Sequence, residues 1–314
     1  MSKNKKRLLI ASIGSALLMG GCLNMDTSNT NQNEEKPKAS SNNTQTDERY
    51  VSVQEYVGEG YQMDGGQEEE KIAKKNREEI ERAVKEFFLN QYKTEVEVQH
   101  MIGADGAATV FVKSKGLLDF HTYAIVPIND AENKVHYNKV WSEDSAVEWA
   151  MQTALYQLSN EKAFNHLKEL TVELSKKYPI VGQNPKLTRK FAYTGYVTPY
   201  FYLGVLNDPF KPLLDAYLNK PDITKEEIKK IYHTSIKLKP EDVIFSIQFF
   251  MKDKTKKPDV KIFNQLSEEI KNANNLPTGS YGISLHDNYV NKLSGLGSKE
   301  SSLDTNYNHL IVKE

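Results

Sequence analysis

A single cysteine, Cys22, ends a short apolar run near the N-terminus, and no other cysteine follows it. A chain with one thiol cannot close an internal disulfide, so its fold must be held by its own apolar core. The run itself has the layout of an export signal. Lys3, Lys5, Lys6 and Arg7 precede Leu8 to Met19, a stretch of about 12 residues, and Gly20-Gly21 lead into the cysteine. Spanning a bilayer core as a helix takes about 20 apolar residues, so a permanent span is not expected there. No later stretch is apolar for that long, and the rest of the chain is expected to be extracytoplasmic and soluble.

Leu18-Met19-Gly20-Gly21-Cys22 resembles a bacterial lipobox, with Met19 where Leu is usual. Such a motif implies removal of residues 1–21 as a signal peptide and attachment of diacylglycerol, with chains of the palmitate class, to Cys22. Two acyl chains hold a membrane stably where one is marginal, at about 0.8 kcal/mol per buried methylene. Cys22 is thus the expected lipidation site, and its thioether leaves no thiol for a nucleophile or a metal.

Removing the four basic residues of the leader from a net charge of −1 leaves −5. Such a body lacks the basic footprint of a nucleic-acid binder. Nor is it drawn as a whole to an anionic membrane, so the lipid is expected to do the anchoring. Residues 22–49 are rich in Asn, Ser, Thr, Gln, Glu and Lys. A segment of that kind cannot bury enough surface to offset chain entropy, and it reads as a disordered tether. Its coil dimensions would be on the order of 30 Å.

The body reads as α+β: an N-terminal helix packed on an antiparallel meander, then a helix-rich half with a small second sheet. The expected units are 50–142 and 143–314, or one continuous domain over both. Tyr50 to Val57 alternates like a strand and is broken by Gly58, Gly60, Gly65 and Gly66. Apolar spacing over Glu68 to Tyr92 predicts one helix, with Glu68, Glu69 and Glu70 at its positive end. Glu95–Ile102, Ala108–Lys115 and His121–Ile128 read as strands, and Val135 to Trp141 as a further one. Ser145 to Tyr178 predicts two helices or a bent one, divided near Ser159-Asn160 and stopped by Pro179. Asp208-Pro209 is read as cap and first residue of a helix. Thr224 and Glu227 are spaced as a capping box, flanked by Ile223 and Ile228 as a hydrophobic staple. Val243–Met251, Pro258–Asn272 and Ser280–Leu285 read as strand, helix and strand, a parallel unit; a helix after Pro240 is the alternative. His309 to Val312 is a final edge strand.

Chemistry-bearing patterns are sparse. The seven histidines, His100, His121, His136, His166, His233, His286 and His309, show no zinc-helix spacing. His121 and His136 could approach each other, although packing is the plainer reading. His286-Asp287 could be a base and its orienter, but a catalytic pair also needs a nucleophile and an oxyanion donor. Ser280 lacks the full nucleophile-elbow pattern and reads as a turn. Gly295-Leu296-Gly297-Ser298-Lys299 reads as a loop, and Asn129 to Asn133 shares only composition with a calcium loop. Phe191 to Leu206 holds Phe191, Tyr193, Tyr196, Tyr200, Phe201 and Tyr202. They are either a sugar- or peptide-binding platform or packed core; core is favoured because no convergent polar groups accompany them. No cofactor, metal or catalytic residue is nominated.

Several blocks are familiar together: Tyr50-Val51-Ser52-Val53-Gln54-Glu55-Tyr56, Ala108-Thr109-Val110-Phe111-Val112, Tyr123-Ala124-Ile125-Val126-Pro127-Ile128, Gly195-Tyr196-Val197-Thr198-Pro199-Tyr200, Ile223-Thr224-Lys225-Glu226-Glu227-Ile228 and Leu276-Pro277-Thr278-Gly279-Ser280-Tyr281. With the leader, the chain resembles an uncharacterised lipoprotein family known chiefly from staphylococci, over nearly its whole length. The resemblance implies lipid anchoring at the outer face of a Gram-positive cell membrane and brings no established activity. The leading expectation is a non-enzymatic binding or interaction protein with an unidentified protein or small-molecule partner. The alternatives are a cell-envelope hydrolase using His286-Asp287 or a carboxylate pair, and a solute-capturing lipoprotein of a transporter.

Overall fold

Where one helix was expected, the computed structural model has two, and Asn76 is the reason. The structure describes residues 48–58, 60–61, 63, 65–143, 145–188, 194–292 and 301–314; the leader, Cys22 and the segment up to residue 47 lie outside them. β1 (Tyr50–Ser52) comes first and is shorter than the alternation suggests, because the chain turns where Glu55 N and Tyr56 N both donate to Ser52 O. α1 (Gln67–Lys75) and α2 (Arg77–Tyr92) follow. Asn76 Nδ2 donates to Ile72 O at 2.8 Å, and its backbone N–H reaches the Ile72 and Ala73 carbonyls. Asn side chains compete for backbone groups in this way, which closes α1. Ile72 and Ala73 of α1, with Ile80, Val84 and Phe88 of α2, face inward.

The meander forms as its alternation dictates. β2 (Val96–Ala104), β3 (Ala107–Ser114), β4 (His121–Asn129) and the short β5 (Lys134–Val135) pair antiparallel in chain order. Asp105-Gly106 makes the two-residue turn between β2 and β3, with Gly106 at φ 70°. Ala108, Val110, Val112, Ala124 and Val126 point to the core. β5 falls short of the expected Val135 to Trp141. Tyr137–Lys139 coils into a single 3-10 turn, and Trp141 instead exchanges backbone hydrogen bonds with Ile125.

Two helices divided at Asn160 come next, as the spacing predicts: α3 (Ala146–Ser159) and α4 (Glu161–Lys177). β6 (Ile180–Val181), α5 (Pro185–Thr188) and β7 (Phe201–Val205) lead to α6 (Lys211–Asn219). Here Asp208 is not the helix cap; Phe210 holds that position. Asn207 and Asp208 are both left-handed, at φ 60° and 50°, and the Asp208 carboxylate accepts from Trp149 Nε1 and Gln152 Nε2. Tertiary partners on α3 have thus claimed the side chain that local logic assigns to the helix end. α7 (Lys225–Ser235) starts with the expected reciprocal Thr224–Glu227 capping box, and Ile223 and Ile228 are both buried.

β8 (Val243–Met251), α8 (Val260–Asn272) and β9 (Gly279–His286) form the expected parallel unit, with Ile244 opposite Ser280 and Phe250 opposite His286. Ser280 therefore lies in a strand, and its hydroxyl donates to Pro240 O. β10 (Tyr289–Asn291) pairs with β1; β11 (Ser302–Asp304) and β12 (Ile311–Lys313) share the outer side of β9. β7 and β6 share the other side of β8. The long strands are thus central and the edges are short, which limits pairing with other chains. The inner face of this mixed sheet is aromatic. Phe245 stacks on Tyr281 at 4.5 Å, Tyr156 on Phe210 at 4.6 Å, and Phe164 and Phe201 also contact Phe245. Burying a side chain of this size stabilises by about 1.5–3 kcal/mol. Residues Arg49–Glu314 form one compact unit of α+β type.

One backbone crossing fixes how α1 meets the meander. A Cβ on Gly103 would stand 1.9 Å from Gly66 O, and one on Gly66 would stand 2.2 Å from the Gly103 carbonyl carbon. Both neighbours are main chain and cannot step aside. Gly103→Ala should therefore destabilise the protein by about 1–3 kcal/mol or more, read as a lowered urea midpoint. Gly204→Ala, where a Cβ meets nothing within 4 Å, should move the midpoint by no more than about 0.5 kcal/mol equivalent.

Candidate functional site

The densest polar cluster lies where β8 and β9 end, the edge at which parallel units of open sheets present ligands. Asn288 is fully buried there. Its Nδ2 donates to Met251 O at 2.7 Å and contacts Lys252 O and Gln54 Oε1 at longer range. Its Oδ1 accepts from Ser52 Oγ at 2.6 Å, and its backbone carbonyl accepts from Val53 N at 2.8 Å. The amide is saturated, so its role is to join strands.

His286 and Asp287 flank this node, but they do not form the base–orienter pair. Asp287 Oδ1 accepts from Tyr289 N at 3.0 Å and Oδ2 from Ser301 N at 3.2 Å. The imidazole packs on Phe250 with ring centroids 5.0 Å apart, and its buried Nδ1 has no hydrogen-bond partner among the described residues. Burial pushes the His286 pKa below its usual value, against the opposing pull of the Asp304 and Asp287 charges. The ring is thus neutral near pH 7. Among the described residues the Asp287 carboxylate thus serves backbone donors and does not orient the imidazole.

A second cluster, not foreseen from sequence, covers the outer face of the meander. His100 stacks on Phe111 at 6.4 Å, Phe111 meets Tyr123 at 6.3 Å, and Tyr61 meets Phe111 edge-on at 6.5 Å. Tyr123 OH donates to Glu143 Oε2 at 2.7 Å. Burial raises the phenol pKa of Tyr61 and of Tyr123, and Glu143 raises Tyr123 further. Both hydroxyls therefore stay protonated, and that of Tyr123 donates to Glu143. The group draws on residues 61 to 143; His100, Phe111 and Tyr123 come from three successive strands, and Tyr61 and Glu143 come from outside them.

The remaining nominated residues disperse. His136 N donates to Pro127 O; that is six positions along β4 from His121, about 20 Å at strand rise. Of the aromatic stretch, Tyr196 and Phe201 are buried, Tyr196 meets Phe164 edge-on at 5.6 Å, and Tyr200 OH donates to Ser175 Oγ. These rings are packed rather than displayed as a platform; Phe191 and Tyr193 lie outside the described residues. Gly295 to Lys299 lies outside them too. His166 borders an open depression of about 540 Å³ with Glu161, Glu169 and Lys229. Glu161 there holds both Lys225 at 2.5 Å and Lys229 at 3.0 Å. Among the described residues no three of His, Cys, Asp or Glu are grouped to hold a metal, and no helix is long and apolar enough to cross a membrane.

A four-stranded meander joined to a six-stranded mixed sheet with helices on its inner face defines the class. Residues 43–313 match the family model described as "Protein of unknown function (DUF1672)", and the chain belongs to that family. A crystal structure of a DUF1672 family protein from Staphylococcus aureus has the same fold, with a TM-score of 0.66 at 16% identity over 85% of this chain and 98% of that one. No curated protein matches the sequence.

Two measurements test this corner. Asn288→Ala strands the Ser52 hydroxyl and the Met251 carbonyl in a buried setting, and should cost about 2–4 kcal/mol in chemical unfolding. The His286 sign is equally definite: the folded pKa lies below the unfolded one, so unfolding takes up a proton as pH falls. This contribution is complete above about pH 6.5 and is lost below it. Unfolding curves from pH 7.5 to 5 should show that decline in the wild type, and His286→Leu should flatten it.

Proposed function

We propose that this protein is a lipid-anchored protein of the extracytoplasmic face of a Gram-positive membrane, whose body serves as a binding or interaction module. The observation that carries this reading is Leu18-Met19-Gly20-Gly21-Cys22, the chain's only cysteine placed directly after an apolar run too short to span. The body supports it by needing no thiol: its stability rests on the aromatic core and the Asn288 node. The preference for binding over hydrolysis rests on Asp287, whose oxygens are taken by backbone N–H groups rather than by His286. Solute capture between two similar lobes is disfavoured by the unlike sheets, one an antiparallel meander and the other mixed around a parallel pair.

The test is chemical and cellular. The wild-type protein expressed in a Gram-positive host should fractionate with membranes, and its N-terminal peptide should begin at Cys22 and carry a diacylglyceryl mass. Cys22→Ala should abolish both the processing and the added mass. An unmodified Cys22 peptide from the membrane fraction would overturn the reading.

A further inference from the structure

Everything hydrogen-bonded to β1 gathers at one end of the body, and that end is basic. Lys292 N donates to Arg49 O at 2.7 Å, Lys254 Nζ meets Glu55 Oε1 at 2.5 Å, and Asn288 joins Ser52 to Met251 at the close of β8. Directly after β8 runs Lys252-Asp253-Lys254-Thr255-Lys256-Lys257, every residue of it exposed. Four lysines occupy six positions there, against one aspartate whose Oδ1 is engaged by the Thr255 N–H and hydroxyl, both at 2.8 Å. Arg49 and Lys292 add positive charge, and Glu55, Asp259 and Asp287 offset part of it. A locally basic surface thus sits on a chain whose charge after the leader is −5.

We propose that this end is a membrane-docking face whose lysines engage an anionic phospholipid surface. The proposal deepens the lipid-anchor reading and rests on it for the protein's location. Connectivity favours this partner over any other polyanion. The chain enters the body at Arg49, so a lipid on Cys22 is reached from this end. Residues 23–48 alone separate Cys22 from Arg49, and so short a connection keeps the basic end at a high effective concentration near the bilayer. Ionic attraction decays within about 8–10 Å at physiological salt. The closest charges therefore decide the encounter, and the net charge of the whole body does not. A covalent lipid and a basic patch then act as two membrane signals, and together they orient the body.

The test uses the full-length chain in four forms from one host: wild type, K252Q/K254Q/K256Q/K257Q, a charge-matched control K71Q/K74Q/K75Q/K85Q on α1 and α2, and Cys22→Ala. Each is floated with phosphatidylglycerol or phosphatidylcholine vesicles at low and high salt. Wild type and control should prefer phosphatidylglycerol by about tenfold or more at low salt, and the preference should vanish at high salt. The first quadruple variant should lose it while keeping the wild-type unfolding midpoint. Equal loss in both quadruple variants would reduce the effect to net charge and overturn the proposal. Retained preference in the first variant would overturn it as well, as would binding of inorganic polyphosphate without vesicle binding. The anchor reading is scored separately, by the mass at Cys22. If that mass is absent but the phosphatidylglycerol preference still tracks Lys252 to Lys257, the anchor fails and the docking face stands.

Discussion

One buried amide closes this fold. Asn288 reaches the end of β8 with its nitrogen and Ser52 with its oxygen, while its own carbonyl takes the Val53 N–H. β1 contributes only three residues to a ladder with β10, too few to hold by themselves. The node compensates, and behind it a separate small core of Val53, Tyr56, Leu187, Phe250 and Val290 becomes possible. In a low-dielectric interior such a network is strong when complete and costly when any member is missing. The larger core around Tyr156, Phe245 and Tyr281 meets the node at Met251. The protein therefore has a robust aromatic centre and one end secured by polar chemistry.

Much of the architecture could be read from local pattern. The break at Asn160, the capping box at Thr224 and the β8–α8–β9 unit all depend on spacings of two, three or four residues, and such signals survive in a sequence. Features that depend on distant partners did not show. Asp208 has every local qualification for a helix cap, yet Trp149 and Gln152 take its carboxylate from across the fold. Asn76 ends α1 inside an unbroken apolar periodicity, because a side chain that can bond its own backbone needs no proline to stop a helix. β1 was legible as a strand, but not as the partner of residues 289–291.

The chemistry was less legible, for a physical reason. His286 and Asp287 are adjacent in sequence, which suggested a pair. His286 closes β9 and Asp287 lies just beyond it, where its carboxylate is turned to the Tyr289 and Ser301 N–H groups. The outer-face group has the reverse character: His100, Phe111 and Tyr123 are far apart in sequence and the antiparallel register assembles them, while Tyr61 joins from the segment ahead of α1. The lipobox-like pattern ending at Cys22 is wholly local, which is why sequence alone can nominate it. The basic segment after β8 was equally visible, yet its meaning depended on learning that β1 lies beside it.

The pairing of β1 with β10 also sets an order of assembly. Ser52 and Asn288 are separated by 236 positions, so the first strand of the body has no partner until nearly the whole chain is available. Loop closure over that distance must await the sheet that supplies Met251 and Asn288. The meander and the β8–α8–β9 unit consist of near neighbours and can form without it. The N-terminal strand is therefore among the last elements to be secured, and β11 and β12 still follow it onto β9. A chain emerging from its N-terminus holds that strand without its β10 partner until residues 289–291 arrive.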